Sequence, residues 1–238
     1  MIANSICWLR TAVFYFFWVL FGVPWCTFVI LAVYFVPVRS RHPFFIKNFC
    51  VVSLFLCRWI CGIRWKVEGL ENVPDKACVV ASNHQSPWET FFVQMLISPQ
   101  STVIKKELFS VPFFGWAFKR LNPIAIDRKE RRSAMQQVMD KGKVCLDDDY
   151  GVVIFPEGTR HHWPEVGRFT RGAATLAQHA NVPVLPIAHD AGRFWPTFTL
   201  KKTPGEITVR IGPVIDSQNK PIDQLTSEVR DWVVANHP

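Results

Sequence analysis

An α/β fold, with a largely parallel sheet flanked by helices and an N-terminal apolar helical hairpin, is what this sequence predicts. Three observations predict it. From residue 64 onward, short apolar runs of strand type alternate with stretches of helical periodicity. Polar and cationic loops directly follow several of those runs, as expected where a parallel sheet presents a site at its strand ends. Residues 11–38 contain no charged side chain, which sets the N-terminal segment apart from the rest.

The segment 1–63 reads as a membrane anchor. As a helix, residues 11–38 would extend roughly 42 Å, against a hydrocarbon core of about 30 Å. Pro24 stands near the middle and is expected to kink or break that helix. After Arg39, Ser40 and Arg41, a second apolar stretch covers 43–61, interrupted by Lys47, Asn48 and Arg58. Trp8, Trp18, Trp25, Trp59 and Trp65 are of the type that gathers at membrane interfaces. Two full spans would leave Arg39, Arg41 and Lys47 outside, against the positive-inside tendency. A single tilted span, or a kinked hairpin dipping into one leaflet, keeps them cytoplasmic. The hairpin is preferred because it also suits Pro24 and the semi-polar second stretch. A buried hairpin of a soluble protein is the plain alternative, and so long an uncharged run argues against it. No cleaved signal peptide is expected, since the run is too long and no small-x-small site follows. Cys7, Cys26, Cys50, Cys57 and Cys61 lie here without His or carboxylate neighbours; they read as small apolar residues, and no metal site is expected.

The charge is placed as an anchor requires. The 238 residues carry 27 Lys/Arg against 19 Asp/Glu, a formal charge of +8. Seven bases (Arg10, Arg39, Arg41, Lys47, Arg58, Arg64, Lys66) precede the first acid, Glu68, so the rest of the chain is close to neutral. The partner implied is an anionic membrane surface, not nucleic acid. Charged residues at 19% and aromatics at 14% exclude a disordered chain or a coiled coil. Seven Cys, an odd number, argue against a disulfide framework.

Residues 64–238 read as one α/β domain. Strand-type runs fall at 64–68, 78–82, 102–105, 124–126, 151–155, 184–188 and 207–211. Helical stretches fall at 87–97, near 116–120, at 131–146, at 170–180 and after Ile222, where Leu225, Val229 and Trp232/Val233 keep helical spacing.

Three loops at strand ends carry candidate chemistry. Ser82-Asn83-His84-Gln85-Ser86-Pro87-Trp88-Glu89 holds a His and, five residues on, a carboxylate able to orient it. The same letters also spell a capping box, with Ser86 at N-cap, Pro87 at N1 and Glu89 at N3; the two readings are compatible. Phe155-Pro156-Glu157-Gly158-Thr159-Arg160 offers a tight path at Gly158 and a planar guanidinium suited to a phosphate monoester. Ile124-Ala125-Ile126-Asp127-Arg128, with Lys105-Lys106-Glu107-Leu108 upstream, sets further cations at strand ends. The plain alternative for each cation is a solvated surface charge.

With these strings in place, the sequence resembles the glycerolipid acyltransferases. Asn83-His84 with its acid, Ile126-Asp127-Arg128, Phe155 to Arg160 and Val182-Pro183-Val184-Leu185-Pro186-Ile187 occur in the order of that family's four blocks. The stretch from Lys105 through Gly115 is similar to the bacterial 1-acylglycerol-3-phosphate acyltransferases, and Phe169 and Gly172 fall on a family Phe-Lys-x-Gly string. The resemblance covers about 64–215 and departs in two places. Glu89 stands where the family has Asp, and Thr170, followed by Arg171, stands where it often has Lys.

What the resemblance implies is transfer of an acyl group from acyl-CoA or acyl carrier protein to lysophosphatidic acid, giving phosphatidic acid. Acyl transfer to another lysolipid, hydrolysis of a lipid or thioester, and a non-catalytic membrane protein are the alternatives. His84 is expected as the base that takes the hydroxyl proton, with Glu89 fixing its tautomer. No Gly-x-Ser-x-Gly elbow is present and no Cys adjoins His84, so the lipid hydroxyl is the expected nucleophile. Arg160, and by resemblance Arg128 and Lys105, would hold the phosphate; Glu157, Gly158 and Thr159 would shape the glycerol site. Beyond the acyl donor no cofactor is expected, and the domain is expected on the cytoplasmic side of the inner membrane.

Overall fold

A computed structural model describes residues 2–121, 123–127 and 131–238. Helix α1 (Ile2–Ala32) runs through Pro24 without the break that a proline there could bring. Proline costs the helix a donor, but neighbouring helices and hydroxyls can compensate. The carbonyl left without its helix donor is that of Leu20; Thr27 Oγ1 adds a bond to the Val23 carbonyl at 2.9 Å in the following turn. Phe21 stacks on Phe49 across the hairpin. The return limb is α2 (Val38–Arg41), a widened π-helical stretch at His42–Lys47, and α3 (Asn48–Cys61). Pro43, which has no N–H to give, sits inside the widened turns. Gly62, at φ 71°, ends α3 in a left-handed cap.

Contacts between the limbs descend in order, which fixes an antiparallel hairpin. Cys61 Sγ lies 4.0 Å from the Arg10 carbonyl, Trp18 Nε1 donates to Ser53 Oγ at 3.0 Å, and Trp25 Nε1 donates to the Phe45 carbonyl at 3.2 Å. Of the tryptophans expected at an interface, Trp8 and Trp59 are exposed. Trp18 and Trp25 instead spend their N–H groups inside the hairpin, and Trp65 packs edge-on against Trp88.

The remaining elements follow as β1 (Ile63–Glu68), β2 (Val79–Ser82), α4 (Pro87–Leu96), β3 (Gln100–Lys105), α5 (Phe114–Arg120), β4 (Ile124–Ile126), α6 (Arg131–Asp147), β5 (Gly151–Ile154), α7 (Gly172–Ala180), β6 (Val184–His189), β7 (Gly205–Ile211) and α8 (Ile222–Asn236). The sheet order is β1-β7-β6-β2-β5-β3-β4. Every pairing is parallel except β6 with β7. The central strands are buried on both faces, so they read as continuous apolar runs.

Alternation along β2 divides the core. Val80 joins a layer with Trp88, Phe92 and Leu185, whereas Val79 and Ala81 join Leu176, Leu225 and Val229 on the other face. The first layer also holds Phe14, Leu54, Cys57 and Cys61, so the hairpin shares the domain's core. Each such side chain contributes about 1.5–3 kcal/mol on burial. A smaller cluster joins Cys26 and Val29 of α1, and Val33 just after it, to Ala117 of α5. The outward face of α1 shows Leu9, Phe16 and Leu20, each more than half exposed. The apolar stretches Asn4–Phe35 and Val38–Cys61 are long enough to cross a bilayer by length and composition, and the chain is membrane-associated through this hairpin.

Candidate active site

The loop between β2 and α4 is built on the capping box. Ser86 Oγ accepts from Trp88 N at 3.0 Å, and Glu89 Oε1 accepts from Ser86 N at 3.0 Å. The same Glu89 oxygen accepts from His84 Nδ1 at 2.7 Å. Capping and orienting are thus done by one atom, and the extra methylene of Glu over Asp gives it the reach. A carboxylate only accepts, so Nδ1 carries the proton and Nε2 is left with a lone pair. Among the described residues Nε2 has no hydrogen-bond partner, and the ring lines a large cavity. Phe155 stacks on the ring at 4.1 Å between centroids, which fixes its plane.

Glu89 is fully buried. Burial is the largest influence on it and pushes its pKa up. The hydrogen bond from His84, with the electrostatic influence of the His189, His84 and Arg160 side chains, outweighs burial and leaves the carboxyl below its usual range. An ionised carboxylate held this way stabilises the imidazolium that forms when Nε2 takes a proton.

The loop after β5 clasps the first loop from the front. Glu157 Oε1 accepts from His84 N at 2.7 Å, and Oε2 accepts from Gly167 N at 2.7 Å. Burial pushes Glu157 above its usual range, the two N–H donors offsetting this in part. Glu157, expected to shape the glycerol site, thus also ties two backbone N–H groups together. His161 N adds a bond to the His84 carbonyl at 2.9 Å. Glu157→Gln presents an amide N–H to one of the two backbone donors, which leaves that donor unmet and costs about 1–3 kcal/mol. Thermal or urea unfolding of the detergent-solubilised protein measures this, and a midpoint equal to wild type would remove the clasp.

The rear of the loop is held by residues that no motif announced. Asn83 exchanges two bonds with the His189 backbone, at 2.9 and 3.1 Å. His189 Nδ1 accepts from Ala191 N at 3.2 Å, so its Nε2 donates to the Asn83 carbonyl at 2.9 Å. Burial lowers the pKa of His189, in keeping with this neutral tautomer. Gln85 Nε2 reaches the Glu165 carbonyl and His237 Nε2, both at 2.9 Å. These partners lie up to 152 residues away in sequence, beyond the reach of any local pattern.

A cavity of about 1120 Å³ gathers most of the remaining candidates. His84, Glu157, Gly158, Thr159 and Arg160 line it together with Lys105 at the end of β3. Gly158 takes φ 72°, the conformation that the Gly of this turn supplies. Among the described residues Arg160 has no carboxylate at ion-pair distance, and its Nε is buried without a hydrogen-bond partner. Register sets Lys105 beside Ile126, next to Asp127. Arg128 lies outside the described residues. Thr170 lines the cavity, whereas Arg171 pairs with Asp223 of α8 at 2.8 Å, away from the cavity wall. The rest of the wall is mostly apolar and runs to Trp25, Phe45 and Phe49 of the hairpin and to Phe114 and Phe118 of α5. A basic mouth on a greasy pocket suits an amphiphile with an anionic head.

Comparison with known proteins gives the same picture. A family model described as Acyltransferase matches residues 64–190. The chain is 43% identical to a 1-acyl-sn-glycerol-3-phosphate acyltransferase of Pseudomonas aeruginosa, over 94% of this chain and 89% of that protein. It is 31% identical to a human 1-acyl-sn-glycerol-3-phosphate acyltransferase alpha, over 89% of this chain and 76% of the relative. Its fold matches the crystal structure of the 1-acyl-sn-glycerophosphate acyltransferase PlsC from Thermotoga maritima, with TM-score 0.81 and 24% identity over 98% of this chain and 94% of that one.

Proposed function

Because the chain belongs to the Acyltransferase family, we propose that it acylates the free hydroxyl of 1-acyl-glycerol-3-phosphate, giving phosphatidic acid. The observation that carries this reading is His84, whose Nδ1 is fixed by buried Glu89 at 2.7 Å while its ring lines an apolar cavity shared with Arg160 and Lys105. The lysolipid phosphate rests on Arg160, with Lys105 beside it. Its hydroxyl donates a proton to His84 Nε2 as the oxygen attacks the thioester carbonyl. The C–S bond then breaks, and the leaving thiolate takes the proton back from the imidazolium. The carbonyl carbon goes from sulfur to oxygen, and no bond to the protein forms. Glu89 holds the tautomer, and Glu157 holds the backbone of His84 in place. The donor is an acyl thioester of coenzyme A or of acyl carrier protein.

Membrane placement follows from packing. Helix α1 touches the α/β domain from Thr11, whose Oγ1 accepts from Lys202 N, to Val29 in the cluster with Ala117. A helix flanked by a folded domain along that length cannot cross a bilayer there without burying polar protein. This packing favours a hairpin that dips into one leaflet over a full span. The excess of bases in the segment favours the cytoplasmic leaflet.

Purified protein given acyl-CoA or acyl carrier protein thioesters and a panel of lyso-acceptors should form phosphatidic acid from lysophosphatidic acid. Free fatty acid as the main product would favour a hydrolase. Arg160→Ala is expected to raise KM for the phosphate-bearing acceptor about 10- to 100-fold, matching the roughly 1.5–3 kcal/mol of a hydrogen bond to a charged group. Unchanged KM and kcat would take the phosphate away from Arg160.

A further inference from the structure

Between β6 and β7 the chain makes an outward excursion pinned at both ends. Thr197 is buried and its N–H donates to the Gln85 carbonyl at 3.2 Å, beside the His84 loop. Lys202 is buried too, and its N–H donates to Thr11 Oγ1 of α1 at 3.0 Å. Its ammonium sits over the rings of Tyr15 at 3.7 Å and Trp195 at 3.9 Å. Lys201 Nζ bonds Asn4 Oδ1 at the start of α1. Between the pins, Phe198 is 82% exposed and Leu200 62%. Phe198 also holds φ 61°, a conformation that aromatic residues rarely adopt, so the backbone is strained in the course of turning the ring outward. The ring nonetheless lines the cavity that holds His84 and Arg160.

Two large apolar side chains facing water from a strained, tethered loop call for an apolar phase outside the protein. The occupant is the lipid bilayer, since the loop is tied through Asn4 and Thr11 to the helix whose outward face bears Leu9, Phe16 and Leu20. Lys201 at its root suits a headgroup depth.

We propose that Phe198 and Leu200 enter the membrane interface beside α1 and form the lip over which a single-chain lysophospholipid slides its tail toward His84. The insertion stands on geometry alone; the lip rests on the acyltransferase reading above.

Full-length protein carrying p-benzoylphenylalanine in place of Phe198 is mixed with phosphatidylglycerol/phosphatidylcholine vesicles, irradiated and analysed by mass spectrometry. Phospholipid attached at 198 is the expected result. The comparison site is Val144, as exposed as Leu200, on α6, a helix whose Val138 and Met139 pack in the layer on the far side of the sheet. Labelling at 144 as strong as at 198, or none at 198, overturns the insertion. Leu200→Asp is then assayed with long-chain lysophosphatidic acid in vesicles and with a short-chain soluble analogue. The ratio of the two KM values should rise about tenfold, the order expected when one large apolar side chain leaves a lipid phase. An unchanged ratio overturns the lip. If wild-type protein acylates neither acceptor, the functional reading fails while the labelling still decides the insertion.

Discussion

His84→Ala lowers kcat for phosphatidic acid formation by about 10³-fold or more, with the acceptor KM little changed, because a positioned base is worth roughly 10²–10⁴ in rate and is engaged mainly in the transition state. The reason lies in the geometry of one ring. Its Nδ1–H is committed to Glu89 at 2.7 Å, its plane is set by Phe155, and its other nitrogen is left for the substrate. Loss of the imidazole removes the proton acceptor but leaves Arg160, Lys105 and the apolar wall to bind lipid. Alanine also strips the buried carboxylate of Glu89 of one donor, which threatens the fold as well as the chemistry. His84→Asn separates the two effects. Its amide N–H stands near the place of Nδ1 and can still donate to Glu89, so this variant should unfold close to wild type yet remain inactive. Both are compared at equal membrane content by the yield of labelled phosphatidic acid. More than a few per cent of wild-type turnover in folded His84→Asn would end the assignment of His84 as the base.

The elements around that ring differ in how plainly the sequence announced them. The parallel centre of the sheet was legible because β2, β5 and β6 are buried on both faces and read as unbroken apolar runs. Their following loops were legible because helix capping and proton transfer call for the same short polar letters. The antiparallel turn of β6 into β7 left no such trace, since alternation within a strand is blind to the direction of its partner. The supports of the His84 loop were invisible for a related reason. His189 bonds Asn83 across 106 residues, and His237 reaches Gln85 across 152. Neither spacing carries a periodicity. Glu157 was legible as a site residue, but its bonds to the N–H groups of His84 and Gly167 were not. The hairpin misled through composition. Trp18 and Trp25 have the chemistry of interface residues, yet each N–H finds an acceptor in the opposite limb.

The Glu89 series is the second large effect, and it tests whether one oxygen performs both capping and orientation. Glu89→Ala should lower kcat by up to about 10⁴-fold, the loss known when the carboxylate of a His–acid pair is removed. Glu89→Asp keeps the charge but shortens the reach by about 1.5 Å. It can satisfy the N-cap or the imidazole more easily than both, so activity should fall between wild type and Ala. Glu89→Gln keeps the length and removes the charge that stabilises the imidazolium, so it should fold but turn over more slowly than Asp. Stability supplies an independent readout with a definite sign. The Glu89 pKa is depressed in the folded protein, so its contribution is present above the unfolded value of about 4.3 and is lost as pH falls through the lower folded value. The stability gap between wild type and Glu89→Gln should therefore narrow as the pH drops below about 4. If all three variants lost stability while keeping wild-type kcat, Glu89 would be a helix cap and nothing more. A fall in kcat with a shared pH signature in stability ties both tasks to the single oxygen that meets His84, Gln85 and Ser86.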